Sequence, residues 1–469
     1  MVSKRKTARP AASKRPPTKS HGAARAARRR SSPAPFTHVD RVEVHLWGQM
    51  VGAVALDPGY GFYAFRFTPE FRQRGIELSP LHMPTAQDRT FIFPDLPEVT
   101  YKRLPALLSD ALPDDFGNAL INKYMADRGI SAAAVTPLDR LACMSNRAMG
   151  ALTFHPARGP ATRTPTPIHL SQLVDEAGRA VRGDIAAEDA ADAALRTIIE
   201  VGTSAGGARA KAVIAWNPTT QEIRTGQLAA PRGFEHWLLK FDGMGADQEL
   251  GTSTHYGRIE YAYFLMARAA GINISESRLL DENGRAHFMT RRFDRVDGDV
   301  RHHMQTLCAM AHLDYKQKGT NSYAQLFGTM RELRLPYKDQ EEAFRRMVFN
   351  VMGRNCDDHT KNFSFLLRRG SIWELAPAYD VTFAHNPAGE WTNQHLMSVN
   401  GKFKDITYLD LLAVADRFAI GTAPQVIVQV RSAIKRWAEF AEDAGVPAKE
   451  TRDRQRQLLF LTEKSRKSP

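Results

Sequence analysis

In the run Asn355-Cys356-Asp357-Asp358-His359-Thr360-Lys361-Asn362 an acid stands five residues before an amide, and an apolar stretch, Phe363-Ser364-Phe365-Leu366-Leu367, separates the pair from a later acid, Asp380. A carboxylate in the first position can take the proton of an attacking hydroxyl. The amide and the later carboxylate are hard oxygen donors of the kind that hold magnesium against phosphate. Acid, amide and acid in this order are the parts of a phosphoryl-transfer loop. The octapeptide also reads as a solvated turn rich in acids and amides. A third reading is a metal-hydrolase cluster of Asp357, Asp358 and His359, although no other His/Asp pair has the spacing to complete it.

Flanking elements must hold these residues. Asp339 and Glu342 have the spacing of a capping box, and Phe344, Met347, Val348, Val351 and Met352 fall on one helical face. The helix should stop near Gly353 and release residues 355–362 as a loop. Phe363 to Leu367, a turn at Arg368-Arg369-Gly370-Ser371, and Ile372 to Leu375 then form a hairpin that leads to Asp380.

Three further stretches could meet a nucleotide. Gly202-Thr203-Ser204-Ala205-Gly206-Gly207-Ala208-Arg209-Ala210-Lys211 is rich in small residues and opens onto a strand, so backbone N–H groups could approach phosphate while Arg209 and Lys211 add charge. No Gly-Lys-Ser/Thr follows at Walker spacing, and most such stretches are only loops. Trp237-Leu238-Leu239-Lys240-Phe241 carries one charge inside an apolar run, which is costly without a partner. A phosphate pair and a carboxylate, with Glu260 the candidate, would supply one; the alternative is a lysine that ends a strand in solvent. In His287-Phe288-Met289-Thr290-Arg291-Arg292-Phe293-Asp294-Arg295 backbone groups could meet an adenine edge with Phe293 nearby, while the charges read as a salt-bridged surface.

The 469 residues exceed one ordinary core. Val42 to Trp47, Val51 to Leu56 and Gly61 to Phe67 alternate as strands, and Leu104 to Arg128 changes to helical spacing, a small α+β unit that ends near Phe154. A Pro/Thr-rich linker begins at residue 157. Residues 171 to 200 look helical, strands follow at 211–216, 223–228 and 236–241, and the pattern from 254 is helical apart from 286–291 and the hairpin. The expected fold is α+β and two-lobed, strands before helices. Its divisions are a basic tail (1–37), a first subdomain (38–156), a linker (157–170), a strand-rich lobe (171–253), a helical lobe (254–450) and a basic C-terminal tail (451–469).

The net charge of +13 is not a property of the body. Residues 1–35 hold eleven Lys or Arg and no acid, which leaves +2 for residues 36–469. Residues 451–469 add six bases and two acids, so residues 36–450 stand near −2. The N-terminal tail should be disordered; it solubilises, or touches nucleic acid non-specifically through phosphates. Its five prolines oppose the amphipathic helix of a transit peptide, and it has no apolar core for a secretory signal. No apolar run approaches the ~18 residues of a membrane span. The widely spaced Cys143, Cys308 and Cys356 form neither a disulfide framework nor a zinc pattern. A cytoplasmic location is expected.

Together these motifs give a resemblance. From about Val42 to about Phe440 the chain resembles the HipA-type serine/threonine kinases, the toxin halves of bacterial toxin–antitoxin pairs. It is carried by residues 202–211, 237–241, Glu260-Tyr261-Ala262-Tyr263, 266–271, 291–295, Met304-Gln305-Thr306-Leu307-Cys308 and 355–364, with Leu108 to Asp115 and Gly150 to Phe154 marking the family's first subdomain. The resemblance implies a two-lobed protein-kinase-like fold using ATP and Mg2+. Asp357 would be the catalytic base, and Asn362 and Asp380 the metal ligands. ATP would be held by Gly206, Gly207, Ala208, Arg209, Ala210, Lys211, Lys240, Arg291, Arg292, Phe293, His359, Thr360, Lys361, Asn362, Tyr379 and Asp380. Ser204 would be autophosphorylated, placing a dianion where ATP phosphates would repel it. Asp358 is left as a bystander. The family's substrates include aminoacyl-tRNA synthetases, and its partners include a helix-turn-helix antitoxin through which it meets operator DNA. The chain departs from the pattern at Ala210, where proline is expected before the lysine, and His359 stands where ordinary protein kinases often have lysine. Two other readings stay open: a DNA co-repressor acting with such an antitoxin, and a phosphotransferase for a small molecule such as an antibiotic or lipid.

Overall fold

A computed structural model describes residues 37–159, 167–171, 173–175, 210–242, 255–296 and 300–463, without the side chains of residues 115 and 116. Gly202 to Arg209, with Ser204, lie outside the described residues, as do residues 172 and 176–200 of the helix expected over 171–200 and the N-terminal tail to residue 36.

The first sheet follows the alternation read from the sequence. Arg41–Leu46 (β1), Gln49–Asp57 (β2), Phe62–Phe67 (β3) and Leu152–His155 (β4) pair antiparallel in the order β3-β2-β1-β4. Val42, Val44 and Leu46 are buried at alternate positions, the period of a half-covered strand. The helical stretch expected over 104–128 is broken. Helices at Glu98–Tyr101, Ala106–Ser109 and Asp115–Ala126 are separated at Pro105 and Pro113, because proline cannot continue the ladder from the preceding turn. Asp114 caps the last of them through the N–H of Gly117 at 2.7 Å.

The second sheet has five antiparallel strands in the order β6-β5-β7-β9-β8: Lys211–Trp216 (β5), Ile223–Thr225 (β6), Glu235–Lys240 (β7), Ser277–Glu282 (β8) and Arg285–Arg291 (β9). The strand-rich section therefore runs past residue 254, and the helical reading from that point missed β8, whose Arg-Leu-Leu-Asp-Glu run does not alternate cleanly. Lys211 and Lys240 face each other in register on β5 and β7. Helix Tyr256–Ala269 crosses onto this sheet so closely that a Cβ at Gly257 would lie 2.1 Å from the Ala286 carbonyl oxygen. Only glycine permits that approach.

A second set of helices, with Tyr337–Met352 at its centre, makes the other lobe. Phe344, Met347, Val348, Val351 and Met352 are all fully buried, and Gly353 ends the helix. The expected capping box is absent. The helix starts after Pro336, three residues earlier than a box would place it, and Asp339 instead accepts from Leu375 N–H (3.1 Å) while Glu342 pairs with Arg346 (2.8 Å). Ser364–Leu367 and Trp373–Leu375 form the hairpin, with His303–Thr306 added to its outer edge. The stretch read as a C-terminal tail from 451 begins inside helix Ala448–Gln455. It continues to Leu458, which is buried, and to Leu459, whose N–H donates to Met352 O at 2.9 Å. Among the described residues no helix is long and apolar enough to cross a membrane.

Candidate active site

A cavity of about 440 Å³ opens where the first subdomain, the five-stranded sheet and the helical lobe converge. Lys240, Arg291, Arg292, Phe293, Asp357, His359, Lys361, Asn362, Tyr379 and Asp380 all line it. Residues up to 140 positions apart in the chain are thus brought to one cleft by the end of β7, the end of β9, the loop after helix Tyr337–Met352 and the turn after the hairpin.

Lys240, at the end of β7, is buried and donates to Glu260 Oε1 at 2.5 Å and to Asp380. Glu260 sits on the first turns of the helix that Gly257 seats against the sheet. The ammonium therefore has the carboxylate that its apolar run demanded, and it does not end in solvent. Burial pushes the Asp380 carboxyl up, but the Lys240 and Lys211 ammoniums outweigh this and hold its pKa at about 2. Asp380 is ionised at any physiological pH. Its backbone is left-handed, φ 55°, a conformation an Asp side chain tolerates better than most.

The loop splits its residues between two environments. Asp357 keeps 41% of its side chain exposed to the cleft, with His359 Nε2 3.8 Å from its Oδ1. Asn362 Nδ2 donates to the Asp357 carbonyl at 2.7 Å across a short 3-10 turn, so Asp357 and Asn362 are set by one another. Tyr379 Oη donates to Lys361 O (2.6 Å), tying the turn before Asp380 to the same loop. Burial pulls the Lys361 ammonium's pKa down, but the Asp110 carboxylate and Tyr315 raise it on balance, so it stays charged.

Three expectations need correction. The Thr360 side chain does not face the cleft: it is fully buried and donates to Leu313 O at 2.7 Å. Ala210 and Lys211 are buried outside the cavity lining; the Ala210 carbonyl accepts from Phe241 N–H (3.1 Å), and Lys211 Nζ lies 3.0 Å from Asp114 of the first subdomain. Asp358 is no bystander. It is buried on the far side of the loop and accepts from Tyr323 Oη (2.8 Å), His395 Nδ1 (2.9 Å), Leu396 N–H (2.7 Å) and Met397 N–H (3.4 Å). Asp357 and Asp358 therefore point into different compartments, which removes the hydrolase cluster. Among the described residues no group of three or more His, Cys, Asp or Glu could hold a metal ion.

The segment after β9 is also not the expected salt-bridged surface. Arg291 is exposed, but Arg292, Asp294 and Arg295 are buried. Asp294 accepts from Arg292 Nε (2.9 Å) and Nη2 (2.7 Å), Arg295 Nη1 (2.6 Å) and Gly150 N–H (2.7 Å). Burial opposes its ionisation, but the two guanidiniums prevail and depress its pKa. The N–H groups of Arg291 and Arg292 are taken by Glu276 O (2.7 Å) and His236 O (2.9 Å), so a base would have to meet other groups of this segment. Phe293 faces the cleft with its ring 5.8 Å from that of Tyr379.

Sequence reasoning missed the wall supplied by the first subdomain, where Asp110, Asp114, Arg140 and Met149 line the cavity. The signal was present in Leu108-Ser109-Asp110-Ala111-Leu112-Pro113-Asp114, two acids set into an apolar turn, which must find cations if buried.

Comparisons with known proteins agree with this layout. The family model for the HipA N-terminal domain matches residues 42–155, and that for the HipA-like C-terminal domain matches residues 203–455. Among solved structures, HipA in a complex of HipA, HipB and operator DNA from Shewanella oneidensis MR-1 superposes with a TM-score of 0.63 at 19% identity, covering 89% of this chain and 96% of that one. The two share the α+β protein-kinase-like fold. CtkA, a proinflammatory kinase of Helicobacter pylori, matches 48% of this chain and 88% of its own at 14% identity and a TM-score of 0.31, below the level at which a shared fold follows. The "Putative kinase Y4mE" of Sinorhizobium fredii (strain NBRC 101917 / NGR234) is 29% identical over 136 residues, 27% of this chain and 32% of that protein.

Proposed function

The chain belongs to the HipA family, and from that premise we propose that it is an ATP- and magnesium-dependent serine/threonine protein kinase. The observation that carries the proposal is Lys240 held between Glu260 and the ionised Asp380, in one cleft with Asp357 and Asn362.

Each side chain has a task in phosphoryl transfer. Lys240 meets nucleotide phosphates, with Glu260 fixing its direction. Asp357 accepts the proton as the acceptor hydroxyl attacks the γ-phosphate in line, and the charged Lys361 lies in the same cleft as phosphate charge develops. Asn362 and Asp380 would hold magnesium: an amide oxygen and a carboxylate ionised down to about pH 2 suit a hard cation that shares its remaining sites with phosphate and water. When bound, the metal neutralises charge on the phosphates. Phe293 and Tyr379 offer aromatic faces to the base.

We extend the proposal to growth arrest as a toxin, with a translation protein such as an aminoacyl-tRNA synthetase as acceptor and Ser204 as the site of self-modification. A HipB-type helix-turn-helix antitoxin, and operator DNA through it, is the partner suggested by the complex in which the structural neighbour was solved. The basic N-terminal tail adds non-specific contact with nucleic acid, and we place the protein in the cytoplasm.

The test is incorporation of labelled phosphate from ATP by purified protein in magnesium, with mass spectrometry for phospho-Ser204. Asp357→Ala should lower incorporation at least about 100-fold. Equal labelling by the variant would remove Asp357 as the base, and no labelling with any acceptor, including itself, would remove the kinase assignment.

A further inference from the structure

The turn Asp110–Asp114 of the first subdomain reaches both lobes. Asp110 Oδ2 accepts from Thr306 N–H and its Oδ1 from Thr306 Oγ1, both at 2.7 Å, where Thr306 begins helix Leu307–Met310 beside the hairpin sheet. Four residues on, Asp114 lies 3.0 Å from Lys211 Nζ at the head of β5, with both side chains almost fully buried. One short turn, stiffened by Pro113 and by the Asp114 cap on helix Asp115–Ala126, is thus fixed to the helical lobe by one carboxylate and to the five-stranded sheet by the other.

We propose that this turn is a clamp that sets the spacing of the two lobes and thereby holds the cleft in its nucleotide-binding geometry, with Asp110 and Asp114 as positioning residues. The inference rests on the reading of the cleft as an ATP site. Two of the cleft's cations come from opposite lobes. Lys240 belongs to the sheet and Lys361 to the loop of the helical lobe, and Asp380 spans the gap to Lys240. A nucleotide touching both lobes needs their separation fixed to a fraction of an ångström. The first subdomain supplies that constraint from outside the two lobes. A clamp needs both jaws. Losing either one breaks the link that this turn makes between the lobes, so the two contacts are coupled through the whole turn.

The test is a cycle of Asp110→Asn, Asp114→Asn and the double variant in the full chain. Asparagine keeps the shape of each residue and can still cap helix Asp115–Ala126, but it removes the charge. Affinity for a fluorescent ATP analogue with magnesium is measured together with amide exchange in β5 and in helix Leu307–Met310. Each single variant should bind about tenfold more weakly, equivalent to about 1.4 kcal/mol, the double variant no more than about threefold weaker again, and each single variant should lose protection in both segments. Multiplied effects approaching a hundredfold, or protection lost only beside the mutated residue, mean two independent local contacts and overturn the clamp. Unchanged affinity in all variants overturns it too. If the unaltered protein binds no nucleotide, the ATP reading fails while the exchange arm still decides the clamp.

Discussion

Replacing Asp358 by asparagine tests how the loop 355–362 is held from behind. The carboxylate is 1% exposed and accepts from four donors, of which His395 is itself buried. Burial pulls the His395 pKa down from its ordinary 6.5, but Asp358, aided by Cys356 whose Sγ lies 3.9 Å from Nε2, raises it to about 10. A histidine raised in the folded state stabilises the fold fully below its unfolded pKa near 6.5 and loses that contribution as the pH climbs through about 10. A rise from 6.5 to about 10 at about 1.36 kcal/mol for each pH unit is roughly 5 kcal/mol near pH 6, close to the ~3–5 kcal/mol of a broken buried pair. Near pH 9 about 1.4 kcal/mol of it remains. The assay is amide exchange by mass spectrometry on peptides that contain Leu396 and Met397, corrected for intrinsic rates. Asp358→Asn should lower protection at least about 100-fold near pH 6 and only about tenfold near pH 9. A loss of the same size at both pH values would refute the ion pair as the anchor and leave only the hydrogen bonds.

Other substitutions separate roles within the cleft. Lys240→Met should weaken ATP binding at least about tenfold by calorimetry, and Glu260→Gln less, because the glutamine still orients the ammonium. Gly257→Ala puts a Cβ 2.1 Å from Ala286 O; the helix must shift and carry Glu260 with it, at a cost of about 1–3 kcal/mol. Nucleotide affinity should fall while far-ultraviolet circular dichroism stays the same. Thr360→Val should leave ATP affinity within about twofold yet cost about 1 kcal/mol in urea unfolding, since its hydroxyl serves Leu313 O and not the ligand.

Local signals that carry their own cause were legible in the sequence. The alternation of Val42, Val44 and Leu46, the apolar face ending at Gly353, and a lysine inside Trp237–Phe241 each state where a side chain must go. Asp357, Asn362 and Asp380 followed, because loop and hairpin are adjacent in the chain. What escaped depends on tertiary distance. Asp110 and Asp114 enter the cleft from a subdomain nearly a hundred residues before β5, and nothing local to them names Thr306 or Lys211 as partners. Asp358 and Thr360 were misjudged because an eight-residue loop presents alternate residues to different compartments, and spacing alone does not say which side is wet. The β8 strand, with a mixed burial pattern, lacked the period that would have betrayed it.

The register of Lys211 opposite Lys240 has a consequence for the order of assembly. Two like charges facing across antiparallel strands disfavour their own pairing, so the central pair of the five-stranded sheet is frustrated until carboxylates arrive from elsewhere. Asp114 lies upstream of both strands and Glu260 and Asp380 downstream. During synthesis the first subdomain leaves the ribosome before Lys211 does, ready to receive it. Lys240 must wait for the helix and the hairpin that follow. A chain deprived of residues 38–156 would therefore make its central strands without the Asp114 carboxylate beside Lys211, and should accumulate as aggregates where the intact chain does not.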